Sequence, residues 1–135
     1  YNRCIGTRYC GNNCPYRVRV YNWFEPYFPA PLNEQLNPDV TVRYRGIMEK
    51  CTFCIQRIHA GADRAAAEGR AMRDGDVVPA CAQVCPTDAI VFGDLADEHS
   101  RIHELTQSKR AFKLLEDMGA DPAVIYLKGG ESHVG

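Results

Sequence analysis

The sequence predicts an α+β chain of short strands, a helical insertion and long irregular segments. Three observations predict it. Seven cysteines fall in two blocks, and each block closes on Cys-x3-Cys-Pro, at residues 10–15 and 81–86. This short internal repeat implies two pseudo-equivalent halves. Residues 16–50, between the blocks, crowd Tyr21, Trp23, Phe24, Tyr27 and Phe28 with Pro26, Pro29 and Pro31. The prolines break any helix, so an irregular, packed arm is expected. Helical periodicity is confined to pieces that follow Cys51.

The elements follow in order. Residues 40–44, with Val40, Thr41 and Val42, read as a short strand. Residues 52–69 favour a helix, with Ile55, Ile58 and Ala62 on one side and many alanines, although Gly61 weakens the pattern. Residues 73–76 form a turn leading back to Cys81. Residues 89–92 read as a strand closed by Gly93. A polar helix is expected over 97–106 and a second over 108–118, stopped by Gly119. Residues 123–127 make a last strand, and the tail after Gly129 reads as loose. The expected organisation is a cysteine-bearing domain over 1–95, including the arm 16–50, and a helical and strand extension over 96–135 packed on it.

With 135 residues the chain is long enough for one modest domain with a core. It is 45% hydrophobic and 24% charged, with a formal net charge of −1. That balance gives no bulk electrostatic reason to expect nucleic acid as a partner. No apolar run approaches the roughly 18–20 residues that cross a bilayer. A charged and then apolar leader is also missing. The first motif opens at Cys4, three residues after Tyr1, which leaves little upstream chain to cover a metal site. The expectation is the C-terminal part of a longer protein.

An odd cysteine count argues against a closed disulfide framework. The spacing argues for iron–sulfur clusters. In bacterial ferredoxins the run is C-x2-C-x2-C-x3-C-P, and its fourth cysteine reaches across to the other cluster. The first block fits this run at Cys4, Cys10, Cys14 and Pro15, but Thr7 stands where the second cysteine belongs. A neutral hydroxyl is a poor iron ligand beside a thiolate. The expected consequence is a [3Fe-4S] centre with three thiolates; the alternative is a full cubane with water or Thr7 on a labile iron. The second block keeps Cys51, Cys54, Cys81 and Cys85, with residues 55–80 inserted where the ferredoxin run has two. It nominates one [4Fe-4S] cluster. Taken alone, that block also suits a four-cysteine zinc site. Three further cysteines ending in a second Cys-Pro phrase are hard to motivate with zinc.

A cluster with its thiolates carries negative charge, which is costly to bury unless cations or N–H donors face it. Arg3, Arg8, Arg17, Lys50 and Arg57 lie within a few residues of a ligand. Singly each reads as a solvated surface charge; together they form a shell that raises reduction potential. His99 and His103, at i and i+4, read as surface polar residues on a helix face, and His59 as a helix-surface residue. Asp94, Asp97 and Glu98 read as helix-start residues. No Gly-rich phosphate loop and no nucleophilic triad context is present. The aromatic cluster near Trp23 is expected to pack over the clusters, with a partner-docking role as the alternative.

The first block, the phrase at 37–43 and the phrase at 48–54 resemble the four-cluster iron–sulfur subunits of the molybdopterin oxidoreductase superfamily. Within it, the chain is most similar to the iron–sulfur subunits of bacterial alternative complex III. Nitrate, polysulfide and dimethyl sulfoxide reductase electron-transfer subunits are more distant. The likeness covers nearly the whole chain, including 111–115 and 124–127. It implies a ferredoxin-like dicluster domain and four cysteine groups in the complete subunit, this chain holding the third and fourth. It also implies that the third group often lacks its second cysteine and carries a [3Fe-4S] centre.

Cysteine pairing has two solutions. Paired with each other, Cys4, Cys10 and Cys85 hold three irons, and Cys51, Cys54, Cys81 and Cys14 hold four. The resemblance implies instead that the third group pairs with the second and the fourth with the first, so both draw on the missing N-terminal half. It further implies a one-electron relay without bond-making chemistry or a small-molecule substrate of its own. The resemblance implies a respiratory complex at the periplasmic face of the cytoplasmic membrane. The implied partners are a quinol-oxidising integral membrane subunit and other subunits of that complex.

Overall fold

The computed structural model describes residue 1 and residues 3–129. It divides into two compact units, Tyr1–Ala60 and Gly61–Gly135. The expected loose tail beyond Gly129 lies outside the described residues.

In the first unit, helix α1 (Tyr9–Asn12) is a single turn. Strands β1 (Val20–Tyr21) and β2 (Met48–Glu49) pair antiparallel, with Val20 opposite Glu49 and Tyr21 opposite Met48. The pairing continues as Asn22 N–H donates to Ile47 O and Gly46 N–H to Asn22 O, both at 2.8 Å. The segment 40–44 is not a strand: the Asn22 side-chain amide takes the carbonyls of Arg43 and Tyr44 at 3.1 and 3.0 Å. Local β preference there has no partner strand to act on. The arm between β1 and β2 is irregular as expected, apart from a 3-10 helix at Leu32–Gln35. Its aromatics are largely exposed within this chain: Trp23 is 61% exposed, Phe24 81% and Tyr27 82%.

Helix α2 (Ile55–Ala67) begins where the Ile55 N–H meets Thr52 Oγ1 at 3.5 Å. It ends on Gly69 in the left-handed region (φ +66°), where Arg70 N–H returns to Ala65 O at 3.0 Å. Gly61 lies inside this helix and is buried, and a Cβ there would lie 2.6 Å from Val77 Cγ2.

In the second unit the turn at 73–76 is present, with Asp76 N–H on Arg73 O at 3.1 Å. Helix α3 (Ala80–Gln83) is one turn, and α4 spans Arg101–Thr106 rather than starting at residue 97. The residues before α4 form side-chain turns: Asp94 Oδ1 accepts Ala96 N–H and Asp97 Oδ1 accepts His99 N–H. Ser100 caps α4, accepting His103 N–H at 3.2 Å, and Asp74 Oδ2 takes Arg101 N–H at 2.9 Å.

No strand forms over 89–92, and no helix over 108–118. The latter segment divides into β3 (Ala111–Lys113) and a 3-10 helix at Glu116–Met118. Pairing of β3 with β4 (Ile125–Leu127) overrides helical preference, bringing the Phe112 and Tyr126 rings to 5.6 Å. A Lys113–Asp121 ion pair ties the intervening loop.

The expected core is nearly absent. Among the described residues only Ile47, Ala65 and Val77 are buried hydrophobics. Three such side chains do not offset the ordering of a chain this long.

Candidate metal centres

The first cysteine loop is shaped by a glycine. Gly6 has φ +72°, and a Cβ there would lie 2.1 Å from Gly46 O, so the loop runs against the chain entering β2. That approach lets Met48 N–H reach Cys4 Sγ at 3.3 Å. The N–H groups of Met48 and then Gly6 hold the Cys4 thiol below its ordinary pKa. Arg8, with φ 66°, starts α1, its carbonyl accepting Gly11 and Asn12 N–H at 3.0 Å each. Cys10 rides on α1, exposed. Cys14 follows, with its N–H on Gly11 O at 3.3 Å. The N–H of Val18 foremost, then those of Tyr16 and Arg17 and the charge of Arg19, lower the Cys14 pKa.

The second block repeats this backbone. Cys81 rides on α3 as Cys10 rides on α1. Cys85 N–H bonds Ala82 O at 3.2 Å, as Cys14 bonds Gly11. Three residues later the chain turns left-handed in both copies, at Arg17 (φ 52°) and Asp88 (φ 49°). Each of these N–H groups returns to its cysteine carbonyl, at 3.2 and 3.4 Å. The openings match in part, since Cys54 also lies in the left-handed region, at φ 57°, and Thr7 does not. Cys51 Sγ accepts Phe53 N–H at 3.4 Å, and Phe53 (φ 55°) occupies the place of Gly6. Thr7 therefore stands where Cys54 stands. Cys85 accepts from the Thr87 hydroxyl at 3.5 Å and Ala89 N–H at 3.3 Å, and its thiol is lowered, chiefly by Thr87.

All seven cysteines are free of disulfides, and each is at least partly exposed. Cys4, Cys10, Cys14, Cys51 and Cys54 belong to the first unit, Cys81 and Cys85 to the second. Among the described residues, no three His, Cys, Asp or Glu side chains are gathered as for a single metal ion. The donor set nevertheless fits a cluster: it is sulfur only, and N–H donors already offset thiolate charge at Cys4, Cys14, Cys51 and Cys85. Of the predicted surrounding cations, Lys50 Nζ binds Cys51 O at 3.0 Å. His99 lies outside α4, so it shares no helix face with His103, whose Nδ1 is 3.1 Å from Leu95 O.

A clamp that sequence reasoning missed holds the turn at 73–76, which precedes Cys81 in the chain. Arg70 grips both carboxylate oxygens of Asp76, at 2.6 and 3.0 Å. Arg73 N–H and Arg64 Nη2 bond the same residue, at Asp76 Oδ2 and O. The only signal in the sequence was the charge pattern around the 73–76 turn. The Arg70 guanidinium foremost holds the Asp76 carboxyl at about 2, below its ordinary 3.8, and the Arg70 pKa is raised in return. Because the folded carboxyl titrates low, the clamp contributes fully above its ordinary value and is lost as pH falls toward 2. Carboxyl 13C NMR is expected to place the Asp76 midpoint near 2. In Arg70→Met it is expected to move up toward 3.8; an unmoved midpoint would remove Arg70 as the cause.

The family model of the 4Fe-4S dicluster domain matches residues 3–89. The chain belongs to this family. The match takes in both cysteine blocks, and so the [4Fe-4S] chemistry read from their spacing. Among curated relatives, the dicluster chain is 52% identical over 134 residues to the iron–sulfur cluster-binding subunit of menaquinone reductase from Nitratidesulfovibrio vulgaris. That match covers 97% of this chain and 52% of the relative. It is 38% identical to a putative iron–sulfur subunit of dimethyl sulfoxide reductase from Halobacterium salinarum, covering 96% and 42%. It is 37% identical to an iron–sulfur subunit of an Hdr-like menaquinol oxidoreductase from Archaeoglobus fulgidus, covering 96% and 45%. The chain thus spans about half the length of the curated relatives it matches. Mixed helices and short strands agree with the predicted class. No helix of the described residues is long and apolar enough to cross a membrane.

Proposed function

We propose that this chain is the cluster-bearing part of an electron-transfer subunit in a membrane-associated respiratory quinol oxidoreductase complex. The observation that carries the reading is the matched pair of cysteine loops, each built to present thiolates under backbone N–H donors. Bound clusters supply one-electron redox change without bond making. The chain's own residues set spacing and offset thiolate charge; no residue here is assigned a catalytic role. Similarity to a menaquinone reductase subunit and to a menaquinol oxidoreductase subunit supports a quinone/quinol couple as the redox partner of the complex. Similarity to a dimethyl sulfoxide reductase subunit favours, as a second reading, a complex of the polysulfide, nitrate or dimethyl sulfoxide reductase type.

In this reading the first block, with Thr7 in the place of Cys54, carries a [3Fe-4S] centre and the second a [4Fe-4S] cluster. Ligands from the preceding half of the same protein complete both. The cysteine-bearing domain is residues 1–95 and 96–135 its extension. The subunit sits at the periplasmic face of the cytoplasmic membrane beside a quinol-oxidising integral membrane subunit.

Anaerobically purified full-length subunit is expected to contain iron and labile sulfide and to give an oxidised-state EPR signal of a three-iron centre. In Thr7→Cys that signal should disappear and a reduced-state four-iron signal gain intensity. A colourless, sulfide-free protein carrying zinc would overturn the reading.

A further inference from the structure

The arm between β1 and β2 is irregular but held. The Asn22 side-chain amide donates to the carbonyls of Arg43 and Tyr44, and Asn22 Oδ1 accepts Phe24 N–H at 3.3 Å, so the two ends of the arm are tied together. Trp23 meets Tyr21 edge to face, with centroids 4.5 Å apart and planes at 65°. Further along, the 3-10 helix at Leu32–Gln35 and the Asn37 side chain, which accepts Asp39 N–H at 2.9 Å, shape the return. Pro26, Phe28, Leu36 and Val42 share the lining of a cleft of about 400 Å³ with Arg43 and Glu49. On this ordered base Trp23, Phe24 and Tyr27 are nonetheless largely open. Aromatics presented on a held backbone are the make-up of an interface centre, because little ordering entropy remains to be lost when they are covered.

Three observations bear on what covers them. The first is energetic. Ile47 is the only buried hydrophobic side chain among the described residues of the unit Tyr1–Ala60. One such side chain does not offset the ordering of a unit of this length. Cluster ligation does not fix the arm either, since residues 16–50 contain no cysteine. The covering surface is therefore needed while the chain folds, as in an obligate interface, rather than when a separately folded subunit arrives. The second is length. The curated relatives matched above are about twice as long as this chain, which leaves a covering surface of the right kind within one polypeptide. The third is charge. Between Arg19 and Arg43 there is no Lys or Arg, whereas Glu25, Glu34 and Asp39 lie there. An acidic arm is a poor match for an anionic lipid surface, which selects Lys and Arg. We propose that the arm, through Trp23, Phe24 and Tyr27, is the seat on which the preceding half of the same protein folds. This rests on the reading above, in which such a half exists and completes the clusters. The arm adds to that reading an apolar folding interface that contributes no ligand.

The test uses the full-length subunit in its complex, with the photo-cross-linker p-benzoylphenylalanine in place of Phe24 or of Tyr27. Irradiation is expected to join the arm to peptides from the preceding half. Cross-links to another subunit or to lipid, or none at either position, would overturn the proposal. Iron and sulfide content and the intact mass of the native subunit are measured on the same samples. A cluster-free protein, or one no longer than this chain, would sink the electron-transfer reading itself, independently of where the arm cross-links. Stability gives a second readout. Phe24→Ser and Tyr27→Ser in the full-length subunit are each expected to lower the thermal midpoint by at least about 5 °C, as for buried aromatics. Tyr27→Phe keeps the ring and is expected to keep the midpoint. Side chains that face solvent in the whole protein would leave it unmoved in both serine variants, and that result would also overturn the proposal.

Discussion

Gly6→Ala is expected to abolish the first-block cluster while sparing the second. Two independent penalties meet at this residue. An L-side chain at φ +72° is strained, by about 1–2 kcal/mol. The added Cβ would also stand 2.1 Å from Gly46 O and 3.1 Å from Tyr21 Cε2. A backbone carbonyl cannot rotate away as a side chain can, so Gly46 and β2 must move, at about 1–3 kcal/mol more. Moving β2 withdraws Met48 N–H from Cys4 Sγ, now at 3.3 Å. The thiol then loses the donor that most favours its ligating form. On the cluster assignment proposed above, EPR should show the first-block signal gone and the second-block signal retained. Equal loss of both signals would mean that Gly6 acts on the whole fold rather than on its own loop.

Gly61→Ala is the second large effect, and its sign is informative. Helix propensity alone favours alanine by about 1 kcal/mol. Packing opposes it, since the new methyl would lie 2.6 Å from Val77 Cγ2 and 3.4 Å from Asp76 O. Val77 is one of the three buried hydrophobics among the described residues, so it has little room to yield. Overpacking, at about 1–3 kcal/mol, should win. The displaced segment is the one that Arg70 and Asp76 clamp, and it leads through Pro79 to Cys81. Thermal unfolding should shift down, with four-iron signal lost preferentially. A shift upward would show that Val77 repacks freely and that propensity dominates.

These residues also show what the sequence reveals and what it hides. The cysteine loops were legible because ligand spacing is a covalent constraint, and the repeat at 10–15 and 81–86 is a repeat of backbone as well as of letters. The α2 insertion was legible from its alanines and its apolar spacing. Gly61 was only half legible because its packing partner is Val77, sixteen positions along the chain and invisible to local propensity. Residues 40–44 and 108–118 failed for the same reason in opposite directions. Val40, Thr41 and Val42 had strand preference with no strand beside them, whereas Phe112 left its helical pattern to pair with Tyr126. The aromatic arm was expected to be covered, but Trp23, Phe24 and Tyr27 are largely open. Hydrophobicity says that a side chain gains from burial; it does not say which surface provides it.

From the one-turn helix onward the two loops share their backbone, through the N–H returns to Gly11 and Ala82 and the left-handed turns three residues past Cys14 and Cys85. The side chains differ. At the matched left-handed turns one copy carries Arg17 and the other Asp88, and at the matched second ligand place one carries Thr7 and the other Cys54. Each exchange makes the first copy more positive than the second. In the electron-transfer reading proposed above, this duplicated scaffolding gives its two cysteine blocks different charge through a few single-residue differences.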